Sequence, residues 1–140
     1  MNQHILSVDG SVKTVIMDSV SYVTEANQTD IIVSGSHGGT SSAGYAIDVA
    51  AGAVFFNDAG CGKNNAGIKG LELLQQHSII AAAVDHRTAE IANGADTYAN
   101  GVITHVNICA SQAGLRRGMF VRDAVELLRM CLTGSHCADR

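Results

Sequence analysis

His37, Asp58, Cys61, Lys63, Asp85 and His86 bring imidazole, carboxylate, thiol and amine groups to the ends of three apolar runs. Such groups can move protons, attack an electrophilic centre or balance the charge of an anion. Nine of the 15 glycines lie among them, between Gly35 and Gly70. Turns alone would call for some glycine, but not for titratable groups at all three run ends. This convergence points to a site.

The first loop is Gly35-Ser36-His37-Gly38-Gly39-Thr40-Ser41-Ser42. Glycines let backbone N–H groups approach a ligand with no Cβ in the way, and a helix N-terminus after them favours an anion. Gly35, Ser36, Gly38, Gly39 and Thr40 are therefore candidate ligand-binding residues. The order is neither GxxxxGK[ST] nor GxGxxG, so no nucleotide or dinucleotide motif is present.

The second loop is Asn57-Asp58-Ala59-Gly60-Cys61-Gly62-Lys63-Asn64-Asn65. Gly60, Gly62 and Lys63 are its candidate anion-binding residues. A lysine at the start of a following helix opposes the helix dipole unless an anion lies between them. Cys61, flanked by glycines and close to that lysine and helix start, is expected to have a lowered pKa. His37 is its candidate base. Asp58 or Asp85 would orient the imidazole or share the proton work, and His86 would reach the His37 loop.

An apolar strand, His-Gly, a helix, a second apolar strand and Ala-Gly-Cys-Gly follow one another here. This order resembles that of the caspase-type cysteine peptidases, in which a His-Gly and an Ala-Cys follow adjacent strands. The resemblance rests on His37-Gly38 and Ala59-Gly60-Cys61, a small part of the chain, and it implies a His37 base and a Cys61 nucleophile. Gly60 intrudes between Ala59 and Cys61, and only 24 positions separate His37 from Cys61. The chain is also too small for that family's usual substrate-binding loops, so it is not assigned to the family.

His37, Asp58, Asp85 and His86 form a carboxylate–imidazole set, but no HExxH or CxxC pattern supports a metal. Cys131, His136 and Cys137 crowd the C-terminus without a zinc spacing. His105 and Cys109, four apart, read as a packing pair on one helix. No metal and no cofactor are expected.

The elements that must hold these loops follow from patterning. Ile5–Val8 and Val12–Met17 flank Asp9-Gly10 and read as a hairpin; Val20–Val23 extends its second strand or forms a short one. Ile31–Val33, Ala53–Phe56 and Ile79–Val84 are apolar without alternation, as in strands buried on both faces of a parallel sheet. Helices are expected at Ser41–Ala50, Asn64–His77, Tyr98–Ala113 and Val121–Leu132, with a strand as the alternative over Val102–Ala110. The fold class is α/β: a three-layer domain with a mostly parallel central sheet, an N-terminal antiparallel hairpin and a helical C-terminal part. Residues 1–140 read as one domain. Right-handed crossovers bring all three loops to one edge of the sheet, where ligands of open parallel sheets bind.

Composition bounds the partners. A net charge of −4, three tyrosines, three phenylalanines and no tryptophan argue against nucleic acid. Arg116, Arg117, Arg122 and Arg129 read as a solvated face. No apolar run is long enough for a membrane span, and Met1–Asp9 lacks the pattern of a signal peptide. A cytoplasmic location follows, with the four cysteines as thiols. Charged residues make up 16% of the chain, a low share that points to subunit contacts in a homo-oligomer. The function expected is a small-molecule enzyme on a carboxylate or phosphate metabolite, hydrolase favoured over lyase or isomerase. The alternatives are a non-catalytic binding or regulatory subunit with the same pocket, and a structural or assembly protein.

Overall fold

A hairpin opens the chain because glycine stands where its turn needs a positive φ. In a computed structural model, which describes residues 2–133, β1 (His4–Asp9) and β2 (Val12–Met17) pair antiparallel, with Asp9 opposite Val12. The two-residue turn is Gly10-Ser11, one position later than Asp9-Gly10, and Gly10 takes φ +64°. Two short 3₁₀ turns, Val20–Tyr22 and Glu25–Asn27, replace the strand extension expected at Val20–Val23. The hydroxyls of Ser19 and Thr24 cap them by accepting the N–H groups of Ser21 and Ala26.

The βαβ pattern follows. β3 (Ile31–His37), α1 (Thr40–Asp48), β4 (Ala53–Asn57), α2 (Gly70–Gln76) and β5 (Ile80–Val84) succeed one another. β2 to β5 are parallel, and β6 (Ile103–Val106) runs antiparallel beside β5. The six strands lie in chain order across one sheet.

Both faces of that sheet are covered, which is why its central strands carry unbroken apolar runs. Ile32, Val54, Phe56 and Ala83 meet Ala43, Ala46, Leu71 and Leu74 of α1 and α2. On the other face Ile31, Val33, Phe55 and Val84 pack with Leu115 and with Val125 and Leu128 of α5 (Val121–Leu132). Also on that side, α3 (Gly94–Asn100) contacts β2 and β3.

Two expected helices are corrected. The stretch Tyr98–Ala113 is not one helix: α3 ends at Asn100, β6 occupies Ile103–Val106, and α4 spans Ile108–Gln112. The buried Asn107 side chain makes the break. Its oxygen accepts the N–H groups of Ala81 and Ala110, and its amide donates to the Ile79 carbonyl. One residue thus joins β5, β6 and the start of α4. The helix expected at Asn64–His77 begins only at Gly70, because Asn64 and Asn65 both adopt positive φ. A Cβ on Gly70 would lie 2.4 Å from the Gly39 carbonyl oxygen, so glycine lets α2 abut the first loop.

Arg116, Arg117 and Arg122 are exposed and Arg129 is half-buried, and three of the four make contacts within the fold. Arg129 pairs with Asp9 and Glu126, while Arg122 donates to the Ala99 carbonyl and stacks over Phe120. Arg116 donates to the Ser111 and Leu115 carbonyls. Among the described residues no helix is long and apolar enough to cross a membrane.

Candidate active site

The loop after β4 leaves the sheet in a left-handed conformation. Six of the seven residues from Ala59 to Asn65 have positive φ: Ala59, Gly60, Cys61, Gly62, Asn64 and Asn65. Ala59 and Cys61 carry a Cβ, and such residues avoid this region. The turn is closed by the Cys61 N–H donating to the Asp58 carbonyl at 2.7 Å. Gly67 backs it, since a Cβ there would lie 2.2 Å from the Asp58 carbonyl oxygen.

Asp58 is the centre of the arrangement. Its side chain is 6% exposed, and a buried carboxylate must find donors. Oδ1 accepts from the Gly60 N–H at 2.8 Å, the His86 N–H at 3.1 Å and His86 Nδ1 at 3.1 Å. Oδ2 accepts from the Thr104 hydroxyl at 3.0 Å.

This network fixes two imidazoles. A carboxylate only accepts, so His86 Nδ1 carries its proton and Nε2 is left with the lone pair. Thr104 Oγ1 lies 2.9 Å from His105 Nδ1. The one hydroxyl proton goes to Asp58, or to the Ala83 carbonyl at 3.3 Å. Both are acceptors, so His105 Nδ1 must be the donor to Thr104, and its lone pair too is on Nε2.

One ligating atom each of Asp58, Cys61 and His105 lie within 4.8 Å of one another, and so do those of Asp58, Asp85 and His86. His105 also lines a cleft of about 440 Å³ between α2 and β6, with Lys69, Glu72, Asn64 and Asn65 among its walls.

Placed against the sequence reading, Asp58, Cys61, Asp85 and His86 come together. His37 joins neither group. It is exposed, and its Nδ1 accepts the Gly39 N–H at 3.0 Å. The carboxylate expected to orient it holds His86 instead.

The loop donors are largely used inside the fold. The Gly38 N–H goes to the Asn57 and Gly67 carbonyls, and that of Gly60 to Asp58. Ser36 Oγ accepts the Val20 N–H. A Cβ on Gly35 would lie 2.3 Å from the Asn93 nitrogen, so this glycine admits the chain before α3. Thr40 opens α1, whose cap Gly39 supplies no side chain. Gly62 has open space around it, and Lys63 is exposed in a 3₁₀ turn, seven residues before α2 begins at Gly70. The helix N-terminus expected beside Lys63 and Cys61 is therefore not there.

The thiol is also corrected. Burial first, and then the neighbouring Asp58 carboxylate, raise the Cys61 pKa above its ordinary value rather than lowering it.

Asp85 behaves differently. Both its oxygens accept from the Arg87 guanidinium, at 3.1 and 2.9 Å, and Oδ1 also accepts the Arg87 N–H. The Arg87 hydrogen bonds bring its pKa down to about 2. A carbon-detected titration should place its midpoint near 2, and Arg87→Ala should return it toward about 3.9. Because the folded pKa is depressed, the stability it contributes is present above the unfolded value and lost as pH falls toward about 2. An unchanged midpoint in Arg87→Ala would show that the pair is not formed in solution.

Thr104 and His105 were missed as site residues because their segment read as helix. The β-branched run Val102-Ile103-Thr104 and the capping Asn107 were the signals for a strand. His136 and Cys137 lie outside the described residues.

Compared with known proteins, the chain matches no family model, and neither a curated protein nor a solved structure matches it.

Proposed function

We propose that the chain is a small-molecule hydrolase that takes an anionic substrate, a carboxylate or phosphate ester, into the cleft between α2 and β6. The observation that carries this reading is the buried Asp58 carboxylate, which holds His86 directly and His105 through Thr104. Two oriented imidazoles with free Nε2 lone pairs suit proton transfer in both directions. One takes a proton from water as its oxygen bonds to the ester centre. The ester C–O or P–O bond then breaks, and the same proton is returned to the departing oxygen.

Water is the nucleophile in this reading, because a half-buried thiol with a raised pKa supplies little thiolate. Lys69 is the cation among the cleft-lining residues, and the side chains of Asn64 and Asn65 stand with it. Together they offer an anion charge and donors, while Glu72 rejects one on its side.

The test is turnover of chromogenic aryl esters bearing a carboxylate or a phosphate. His86→Ala and His105→Ala should each lower kcat by about 10²-fold or more. Lys69→Ala should mainly raise KM. Absence of turnover across the panel, with the same anions still protecting the cleft from modification, would move the site to a binding or regulatory role.

A further inference from the structure

We propose that Asp58, Cys61 and His105 hold a divalent transition-metal ion of the zinc class, with a fourth position open toward the cleft. This rests on the reading of the same residues as the active site.

The three donors differ in kind: a carboxylate oxygen, a thiol sulfur and an imidazole nitrogen. That mixture suits zinc, which accepts all three and leaves one position open in catalytic sites. Their ligating atoms already lie within 4.8 Å of one another. Tetrahedral bonds of zinc length would set them about 3.5 Å apart.

The surrounding hydrogen bonds are those a metal centre needs. Ligating imidazoles have their other N–H held by a neighbour, and ligating carboxylates are themselves hydrogen-bonded. Here Thr104 Oγ1 takes the His105 Nδ1 proton and donates to Asp58 Oδ2. One hydroxyl therefore orients two of the three ligands. Asp58 Oδ1 is filled by three N–H groups, whereas Oδ2 has Thr104 alone and keeps a lone pair free.

The second cluster, Asp58 with Asp85 and His86, does not compete. Asp85 is held on both oxygens by the Arg87 guanidinium, whose positive charge opposes a cation there, and His86 Nδ1 is taken by Asp58. His105, by contrast, reaches the cleft wall, where the open position would meet a substrate. Coordination forms the sulfur–metal bond as the Cys61 thiol releases its proton to solvent. A bound ion of this class would make its water a nucleophile near neutral pH.

The experiment is titration of the full, metal-stripped chain with cobalt(II) alone. One equivalent should bind and give a thiolate-to-cobalt charge-transfer band in the near ultraviolet. Cys61→Ser should abolish that band while its circular dichroism and melting stay those of the parent. His105→Ala should weaken binding at least about tenfold, and Thr104→Val about tenfold, as for loss of an orienting neighbour. No band, or a band that persists in Cys61→Ser, would overturn the proposal, as would parental affinity in both His105→Ala and Thr104→Val. The readout needs no turnover. Ester hydrolysis by a chain that binds no cobalt would remove the metal and leave the hydrolase reading, and cobalt binding without hydrolysis would do the reverse.

Discussion

Asp58→Asn should lower turnover by about 10³-fold, within the range spanned by acid–base groups, and leave the fold in place. The amide is nearly isosteric with the carboxylate. Its oxygen can still accept from the Gly60 and His86 N–H groups, which now hold Oδ1. Its nitrogen can donate to Thr104, whose hydroxyl then turns to the Ala83 carbonyl, its second acceptor at 3.3 Å. The hydrogen-bond count survives, but the negative charge does not. That charge is what stabilises an imidazolium at His86 during proton transfer. Asp58→Ala differs in kind. It leaves the Gly60 and His86 donors unpaired in a buried place, at about 1–3 kcal/mol for each group left unsatisfied. The two variants therefore separate charge from scaffold, by kcat in the first and by urea denaturation in the second. Turnover of Asp58→Asn within threefold of the parent would remove the carboxylate charge from the chemistry.

The elements most legible in the sequence were those with unbroken periodicity. β2 runs over Val12–Met17 and α5 over Val121–Leu132 as patterning predicts; α5 buries one regular face, whereas β2 is buried on both. The three central strands were legible because both faces are covered, so alternation vanishes. β6 was not legible. It has four residues, of which Ile103 alone is buried, so the buried partner that fixes it, Asn107, lies outside it. A polar residue capping one element while bonding two others leaves no periodic trace.

The site was half legible for a related reason. Glycine density pointed to the loop after β4, but not to what the glycines do. Gly67 and Gly70 admit backbone rather than ligand, with Cβ positions 2.2 and 2.4 Å from carbonyl oxygens. The pairing of Asp58 with His86 depends on β4 and β5 being neighbours, which the βαβ pattern gives. Its pairing with Thr104 and His105 depends on an antiparallel strand returning along β5, and no residue spacing encodes that. His37 sits on the neighbouring strand end as expected, opposite Asn57. Adjacent strand ends do not make a contact, however, when the side chain turns back to its own loop.

The largest stability loss should come from Asp30→Ala, at the other end of the sheet. Asp30 immediately precedes β3, and its side chain is fully buried. Oδ1 accepts the Lys13 N–H at 3.0 Å, while Oδ2 meets Lys13 Nζ at 3.0 Å and the Asn27 amide at 3.2 Å. The Asp30 carbonyl accepts from Gly52 and Ala53, so the residue links β2, β3 and β4 where they start. Removing the carboxylate leaves the Asn27 amide and the Lys13 N–H without this acceptor, and a half-buried ammonium without its counter-charge. Breaking one side of a buried ion pair costs about 3–5 kcal/mol, a large share of the stability of an ordinary domain. The urea midpoint at neutral pH should fall with little change in slope. Lys13→Met combined with Asp30→Ala should lose less than the two single losses added, because each has already removed the same pair. Since Asp30 and Asp58 stand at opposite ends of the parallel strands, Asp30→Ala should keep parental kcat at a temperature where it is folded. A loss under about 1 kcal/mol would place Asp30 with surface ion pairs. A fall in kcat in the folded variant would mean that the two ends of the sheet are coupled.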